Sequence, residues 1–305
     1  MEEAAAPAMD DTRVTALMPL KHYHPDFLRQ ALRSLLDQSC PRWRLLIIIE
    51  AANHQAMRAV LQAALTDRRV KLIVNRGRKL AGAINTGMRA ADTEFVAELL
   101  ADDMWSPDAV GVLNDYIMQY PDVDFFHSSR RFIDEHNAVI SSVYPSRERF
   151  TLDDFLRGSP VKHLLCWRRD TGLAVGGLDE SLNSVGPDDY DLPWTMAEHG
   201  ARFRAVRECL YYYRDHRECY RLTTHLPLSV HQREIGRILR KHGVERSQRS
   251  QIIARARQSY LRQCLYRTSL ERRTKERLGF RADRGWRETY SSANAFAPSS
   301  SRRRK

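Results

Sequence analysis

Four short apolar runs, each followed by a stretch with helical periodicity, fill the first hundred residues and leave few folds open. Val14-Thr-Ala-Leu-Met-Pro19 is followed, past Pro25, by Phe27, Leu28, Ala31, Leu32, Leu35 and Leu36, apolar residues recurring at helical spacing. That reads as strand, loop, helix. Trp43 to Ile49 is a continuous run of the kind that suits a strand buried on both faces of a parallel sheet, and a helix over roughly Gln55 to Leu65 follows it. Val70 to Val74 is a third strand; glycines in Asn75-Arg-Gly77 and Ala81-Gly82 end it, and Ala83 to Ala91 returns to helix. Phe95 to Leu100 is a fourth strand, ending at Ala101-Asp102-Asp103. The crossovers are long enough for parallel pairing, so the expected architecture is α/β, a mostly parallel, doubly wound sheet with helices on both faces. Ligands of such sheets bind beyond the carboxyl ends of the strands, where Pro19, Glu50 and Asp102 fall.

Residues 104–224 are more mixed, with a helix after Pro107, a strand around Asp124 to Ser128 and a helix near Tyr190 to His199. From about Leu226 the pattern changes to Arg-rich helices carrying Ile235, Ile238, Leu239, Ile253, Ala256 and Leu261. The expected organisation is a disordered N-terminus over 1–12, one α/β domain over 13–225, a basic helical extension over 226–290 and a disordered basic tail over 291–305.

Charge follows the same division. The net +11 is 49 Lys/Arg against 38 Asp/Glu, of which residues 225–305 hold 21 and 6, leaving 28 and 32 for residues 1–224. The basicity therefore belongs to the C-terminal region, whose apolar spacing fits packing on the domain and whose arginines fit an anionic membrane surface. No helix-turn-helix spacing, zinc pattern or RNP-like motif accompanies it, so no specific nucleic acid is expected as a partner. The longest aliphatic stretch, Leu45 to Ile49, is far short of the roughly 20 residues that span a bilayer, and the acidic start MEEAAAPAMDD is not a secretory signal. The expected location is cytoplasmic, with peripheral contact on the inner face of the membrane as a variant. The five scattered cysteines form no CxxC pair and read as reduced thiols.

Three constellations could carry chemistry. Asp102-Asp103 stands at a strand end, where carboxylates can meet a hard divalent cation that keeps its other positions for water and phosphate oxygens; acidic residues ahead of Ser106-Pro107 also suit a helix start. Asp188-Asp-Tyr-Asp191 begins a helix after the Gly176-Gly-Leu-Asp-Glu180 turn, again a common place for acidic residues. Tyr211-Tyr-Tyr-Arg-Asp-His216 is a strand ending on a histidine, either a metal ligand or an ordinary surface group.

Taken together, the order and spacing of these elements resemble the family 2 glycosyltransferases of GT-A fold, over about Val14 to Arg217. Phe27 to Gln38 resembles the family's first helix with its S-x-L-x-Q ending, and Gly82-Ala-Ile-Asn85-Thr-Gly87 its A-x-N-x-G turn. Phe95 to Pro107 resembles the aspartate motif with its trailing proline. Gly176 to Glu180, Asp188 to Leu192, Gly200 and Tyr213-Arg-Asp-His216 resemble the series G-G-F-D-E, E-D-Y-D-L, G and Y-R-x-H.

The resemblance implies transfer of a sugar from a nucleoside-diphosphate donor, commonly a UDP-sugar, to an acceptor hydroxyl with inversion. The acceptor would be a glycan, a lipid-linked glycan or a small molecule. Asp102 would hold Mn2+ or Mg2+ against the donor diphosphate, with His216 completing its coordination; Asp189 would be the general base. Pro19, Glu50 and Asn85 would line the nucleotide pocket, and Asp103 and Asp188 would belong to the same donor site. Three departures stand out: Glu50-Ala-Ala-Asn53 replaces D-D-G-S, Leu100 replaces the first aspartate of D-x-D, and Asp188 replaces a glutamate. The first two keep open a silent domain that binds a nucleotide or glycan as a scaffold. A nucleotidyltransferase is disfavoured, because Pro19-Leu-Lys-His-Tyr-His24 holds no glycine for a phosphate loop.

Overall fold

The computed structural model describes residues 12–21, 23–182, 186–215 and 227–267. The expectations for residues 1–11, for His216 and for 268–305 lie outside the described residues.

The fold is α/β, built on one eight-stranded sheet. Its first half, in spatial order, is β3 (Val70–Val74), β2 (Trp43–Ile49), β1 (Val14–Leu20) and β4 (Phe95–Glu98), all parallel. Period-two alternation sorts β1 between two layers. Val14, Ala16, Met18 and Leu20 pack with α1 (Pro25–Leu36), α2 (His54–Val60) and α4 (Ala109–Gln119), whereas Leu17 faces α3 (Lys79–Ala90) on the other side. The helices thus cover both faces.

Several boundaries differ from the sequence expectation: helix α2 ends at Val60 instead of Leu65, the strand expected around Asp124 to Ser128 runs on to Ile133, and two more bear on the site. Helix α3 starts at Lys79 and takes Gly82 into its first turn. A Cβ on Gly82 would lie 2.4 Å from the carbonyl carbon of Gly77, so this glycine permits a close backbone crossing instead of breaking the helix. Strand β4 ends at Glu98, and Asp102 lies beyond it in a tight turn closed by Asp103 N donating to Leu100 O at 3.2 Å.

The second half of the sheet is mixed, and the sheet as a whole keeps parallel pairing in the majority. Next to β4 comes β7 (Leu165–Arg168), antiparallel to it and to β6 (Phe125–Ile133); then β8 (Phe203–Arg214), parallel to β6, and the short β5 (Met104–Trp105), antiparallel to β8. Between β6 and β7 the chain forms only the four-residue α5 (Leu152–Phe155). With no long crossover helix to return it to the starting edge, the chain re-enters the sheet in the opposite direction. Helix α6 (Arg169–Ala174) follows β7, and α7 (Leu192–Glu198) continues a π-helical turn over Pro187–Asp191.

Helix α8 (Leu228–Lys241) packs on the domain. Ile235, Ile238 and Leu239 join Phe155, Leu182, Tyr190 and Trp194 in one buried cluster, and each fully buried side chain of this size contributes about 1.5–3 kcal/mol. Its end is tied down by charge: Lys241 Nζ lies 2.6 Å and His242 Nε2 3.1 Å from the carboxylate of Asp191, a residue with no exposure. The His242 ring stacks on Trp194 at 4.1 Å. Helix α9 (Arg246–Arg267) lies against α8 through Ile252, Ile253 and Ala256, leaving Arg246, Arg255 and Arg257 exposed. Of the two readings of the basic extension, packing on the domain therefore holds for α8. Among the described residues no helix is long and apolar enough to cross a membrane, and Cys40, Cys166 and Cys209 are free thiols.

Candidate active site

The parallel strands end along one edge, and the sequence candidates gather there in two groups. Pro19 is the penultimate residue of β1, paired with Ile48, and Glu50 follows β2 directly. Asn75, the residue after β3, donates its backbone N–H to Ile49 O at 2.7 Å and its side-chain amide to Glu50 Oε1 at 3.1 Å. The ends of β1, β2 and β3 thus present one polar rim.

Asn85 follows in α3, one residue before Thr86, whose hydroxyl donates to Asn75 Oδ1 at 3.3 Å. It is 2% exposed, accepts the Leu178 N–H at 2.8 Å and donates to Leu178 O at 2.9 Å and to Glu180 Oε1 at 3.1 Å. Its amide clamps the Gly-Gly-Leu-Asp-Glu turn. Gly177, at φ +74, is required under that clamp because a Cβ would fall 2.4 Å from Asn85 Oδ1.

Asp102 and Asp103 have separate jobs. Asp103 is 1% exposed; its carboxylate accepts the Arg214 backbone N–H and the Tyr211 hydroxyl, both at 2.7 Å. Burial, with the neighbouring Asp102 charge, pushes it up to about 7 despite those bonds. Asp102 is half-buried in the turn beyond β4, and its carbonyl accepts Arg214 Nε at 2.7 Å. A carboxylate on a fixed turn at the strand ends fits a hard divalent cation that keeps its remaining positions for water and phosphate oxygens.

The candidates Asp188 and Asp189 sit on the π-helical turn. It opens at Gly186, in the left-handed region at φ +53, where a Cβ would meet the Tyr190 Cβ at 2.7 Å. Asp188 is buried beside His163, with Oδ2 and Nε2 3.4 Å apart, and His163 Nε2 is 3.6 Å from Oε2 of the fully buried Glu98. Burial, reinforced by the Asp188 charge, raises Glu98 to about 8. Burial opposes charge on His163, but Asp188 and Glu98 outweigh it and hold the imidazole up at about 10. Burial likewise opposes the Asp188 carboxylate, and His163 outweighs it and holds Asp188 below the usual range. Asp189 is partly exposed at the surface of the turn. Burial and then the Asp188 charge raise it to about 6, while His163 and Arg130 pull it down.

Tyr211 links the two groups. Its hydroxyl holds Asp103, and its ring centroid lies 5.3 Å from that of His163. The strand-end turn and the π-helical turn are therefore built on one continuous buried polar seam.

The model of the family described as Glycosyl transferase family 2 matches residues 15–167, half of the chain. The chain belongs to glycosyl transferase family 2. Among curated relatives of this family 2 chain, the O-antigen biosynthesis protein RfbC of Myxococcus xanthus is 26% identical over 220 residues, 70% of this chain and 17% of that protein. The Escherichia coli UDP-Glc:alpha-D-GlcNAc-diphosphoundecaprenol beta-1,3-glucosyltransferase WfgD is 27% identical over 141 residues, 46% of this chain and 54% of that protein. The alignments thus span well under two thirds of either relative's own length. Among solved structures, S. aureus TarS 1-349 in complex with UDP-GlcNAc superposes with a TM-score of 0.60 at 15% identity, covering 83% of this chain and 73% of that one. At that identity the likeness concerns the fold.

Four residues of this family 2 site escaped the sequence reading: Asn75, Glu98, His163 and Tyr211 as Asp103's partner. Glu98 alone carried a signal, an acid inside the apolar run Phe95 to Leu100, which demands a buried partner. The separate roles of the two aspartates make a direct prediction. Asp103→Ala, which strands the Arg214 N–H and the Tyr211 hydroxyl, lowers the stability read from urea unfolding by about 1–3 kcal/mol, whereas Asp102→Ala costs less. Equal losses would contradict this division.

Proposed function

We propose that the chain is a glycosyltransferase moving a sugar from a nucleoside-diphosphate sugar, with UDP as the favoured nucleotide, to an acceptor hydroxyl with inversion. The observation that carries this reading is the link from the strand-end turn of Asp102 and Asp103 to the carboxylate-bearing turn of Asp188 and Asp189, running from Asp103 through Tyr211 and His163 to Asp188 in a family 2 fold. The relatives named for O-antigen biosynthesis and for glucosyl transfer to a diphosphoundecaprenol-linked sugar support a cell-envelope polysaccharide as the product. The TarS complex with UDP-GlcNAc supports a uridine donor.

In this reading the donor nucleotide lies on the rim formed by Pro19, Glu50 and Asn75. Asp102 would hold Mn2+ or Mg2+, with His216 as the further ligand that the family resemblance implies, and the cation would supply Lewis-acid stabilisation of the leaving diphosphate. Asp189 takes the proton of the acceptor hydroxyl. At about 6 it is ionised at neutral pH yet more basic than an ordinary carboxylate. Asp188, paired to His163, fixes the turn and keeps Asp189 oriented. Leu100, in place of an aspartate, favours one second reading, a nucleotide- or glycan-binding scaffold without transfer. The exposed arginines of α9 give the enzyme a peripheral contact with an anionic membrane.

Two measurements test these readings. Purified protein is incubated with UDP-, GDP- and dTDP-sugars and candidate acceptors, with Mn2+ or with EDTA, and nucleoside-diphosphate release is scored. Metal-dependent release from a UDP-sugar is expected, lowered about 10²–10⁴-fold by Asp189→Asn and lost in Asp102→Ala; binding of nucleotide without release from any donor would favour the scaffold. Flotation with phosphatidylglycerol vesicles is expected to carry the full chain upward and to fail for Arg255→Glu/Arg257→Glu. Equal flotation of both would remove the membrane contact.

A further inference from the structure

Glu98, His163 and Asp188 come from three separate parts of the chain: the last residue of β4, the segment before β7, and the π-helical turn. Glu98 has no exposure, His163 4% and Asp188 7%. One donor atom from each lies within 4.8 Å of the other two. Neither carboxylate oxygen of Glu98 and neither ring nitrogen of His163 has a hydrogen-bond partner among the described residues.

The spacings within this cluster are longer than its charges would choose. A charge-assisted N–H to carboxylate bond closes to about 2.7–2.9 Å, yet His163 Nε2 stands 3.4 Å from Asp188 Oδ2 and 3.6 Å from Glu98 Oε2. Those are the edges of a coordination sphere instead. For ligands about 2.0–2.1 Å from a tetrahedral Zn2+-sized ion, neighbouring donor atoms sit about 3.4 Å apart. One imidazole and two carboxylates also form a mixed nitrogen and oxygen donor set, which suits Zn2+ and its neighbours better than Mg2+ or Ca2+. Two carboxylates buried around one histidine, with the Glu98 oxygens and the His163 nitrogens left without hydrogen bonds, form an arrangement that a cation would complete.

We propose that Glu98, His163 and Asp188 bind one divalent transition-metal ion, separate from the cation held at Asp102 beside the donor. Such an ion cross-links the central strand β4 to the π-helical turn directly beneath Asp189. Its fourth position is left for water. Its role is to fix the turn, and it holds no reacting group of the donor.

The test reads bound metal, so it is independent of whether sugar is transferred. Full-length protein is loaded with Zn2+, passed through a desalting column and assayed for metal by plasma mass spectrometry; Co2+ loading is followed by visible absorption. Wild type is expected to retain about one equivalent and to show the intense visible bands of a four-coordinate Co2+ site. His163→Gln and Glu98→Gln, each checked for folding by circular dichroism, weaken Zn2+ binding by about tenfold or more, and Asp102→Asn leaves it unchanged. Asp188→Asn serves as a third ligand variant should either of the first two fail to fold. Absence of retained Zn2+ and of the Co2+ bands in folded wild type overturns the proposal and leaves the cluster as a proton-sharing ion pair. So does binding that survives in every folded ligand variant.

Discussion

The guanidinium of Arg214 is the fastening on which the strand-end site depends. It has no exposure, and every one of its N–H groups is answered: Nε by Asp102 O at 2.7 Å, Nη1 by Asp134 O at 2.9 Å and Asn137 Oδ1 at 2.7 Å, Nη2 by Gln30 Oε1 at 2.7 Å and Met104 Sδ at 3.2 Å. The ring of Phe27 lies beneath it at 4.6 Å. A buried arginine is tolerated only when its planar fork is filled in this way. Here that condition ties α1, the turn beyond β4, the end of β6 and the end of β8 to one point. Asp103 completes the junction by accepting the Arg214 backbone N–H, which leaves Asp102 as the carboxylate on a turn whose path is already set.

From this junction the site extends by contact. Tyr211 passes from Asp103 to His163, and His163 passes to Glu98 and Asp188 under the π-helical turn. The turn is also held from above, where Lys241 and His242 at the end of α8 grip Asp191 and His242 stacks on Trp194. Helix α8 is thus a structural partner of the π-helical turn. Asp189, between the two sets of charges, is fixed in place and made more basic by burial and by Asp188. A rigid turn carrying one tuned carboxylate would suit the single-displacement transfer proposed above.

Much of this could be read from the residues. Strand β2 falls on Trp43–Ile49, because a strand buried on both faces announces itself by composition, and the partly exposed edge strand β3 falls on Val70–Val74, as its shorter aliphatic run indicates. The motifs carried the family and the neighbourhood of Asp102, Asp188 and Asp189. What they could not carry is which side chain faces inward. Asp102 and Asp103 are equivalent on paper, and only the packing of β8 against the turn gives Asp103 to Tyr211 and Arg214. Asn85 matches a nucleotide-site motif, yet its amide serves a turn 93 residues away. His163 had no signal, since its meaning comes from Glu98 and Asp188 meeting it across three separate elements. Strand β7 was hidden for a similar reason: its direction depends on a connection without a long helix.

Asp189 is proposed to act as a base in one direct displacement at the anomeric carbon. The measurement that tests it most directly is the anomeric configuration of the first-formed product, followed by proton NMR during transfer from an α-linked nucleotide sugar. A β-linked product, inverted relative to the donor, is expected from the start of the reaction. An α-linked product, with configuration retained, would contradict it.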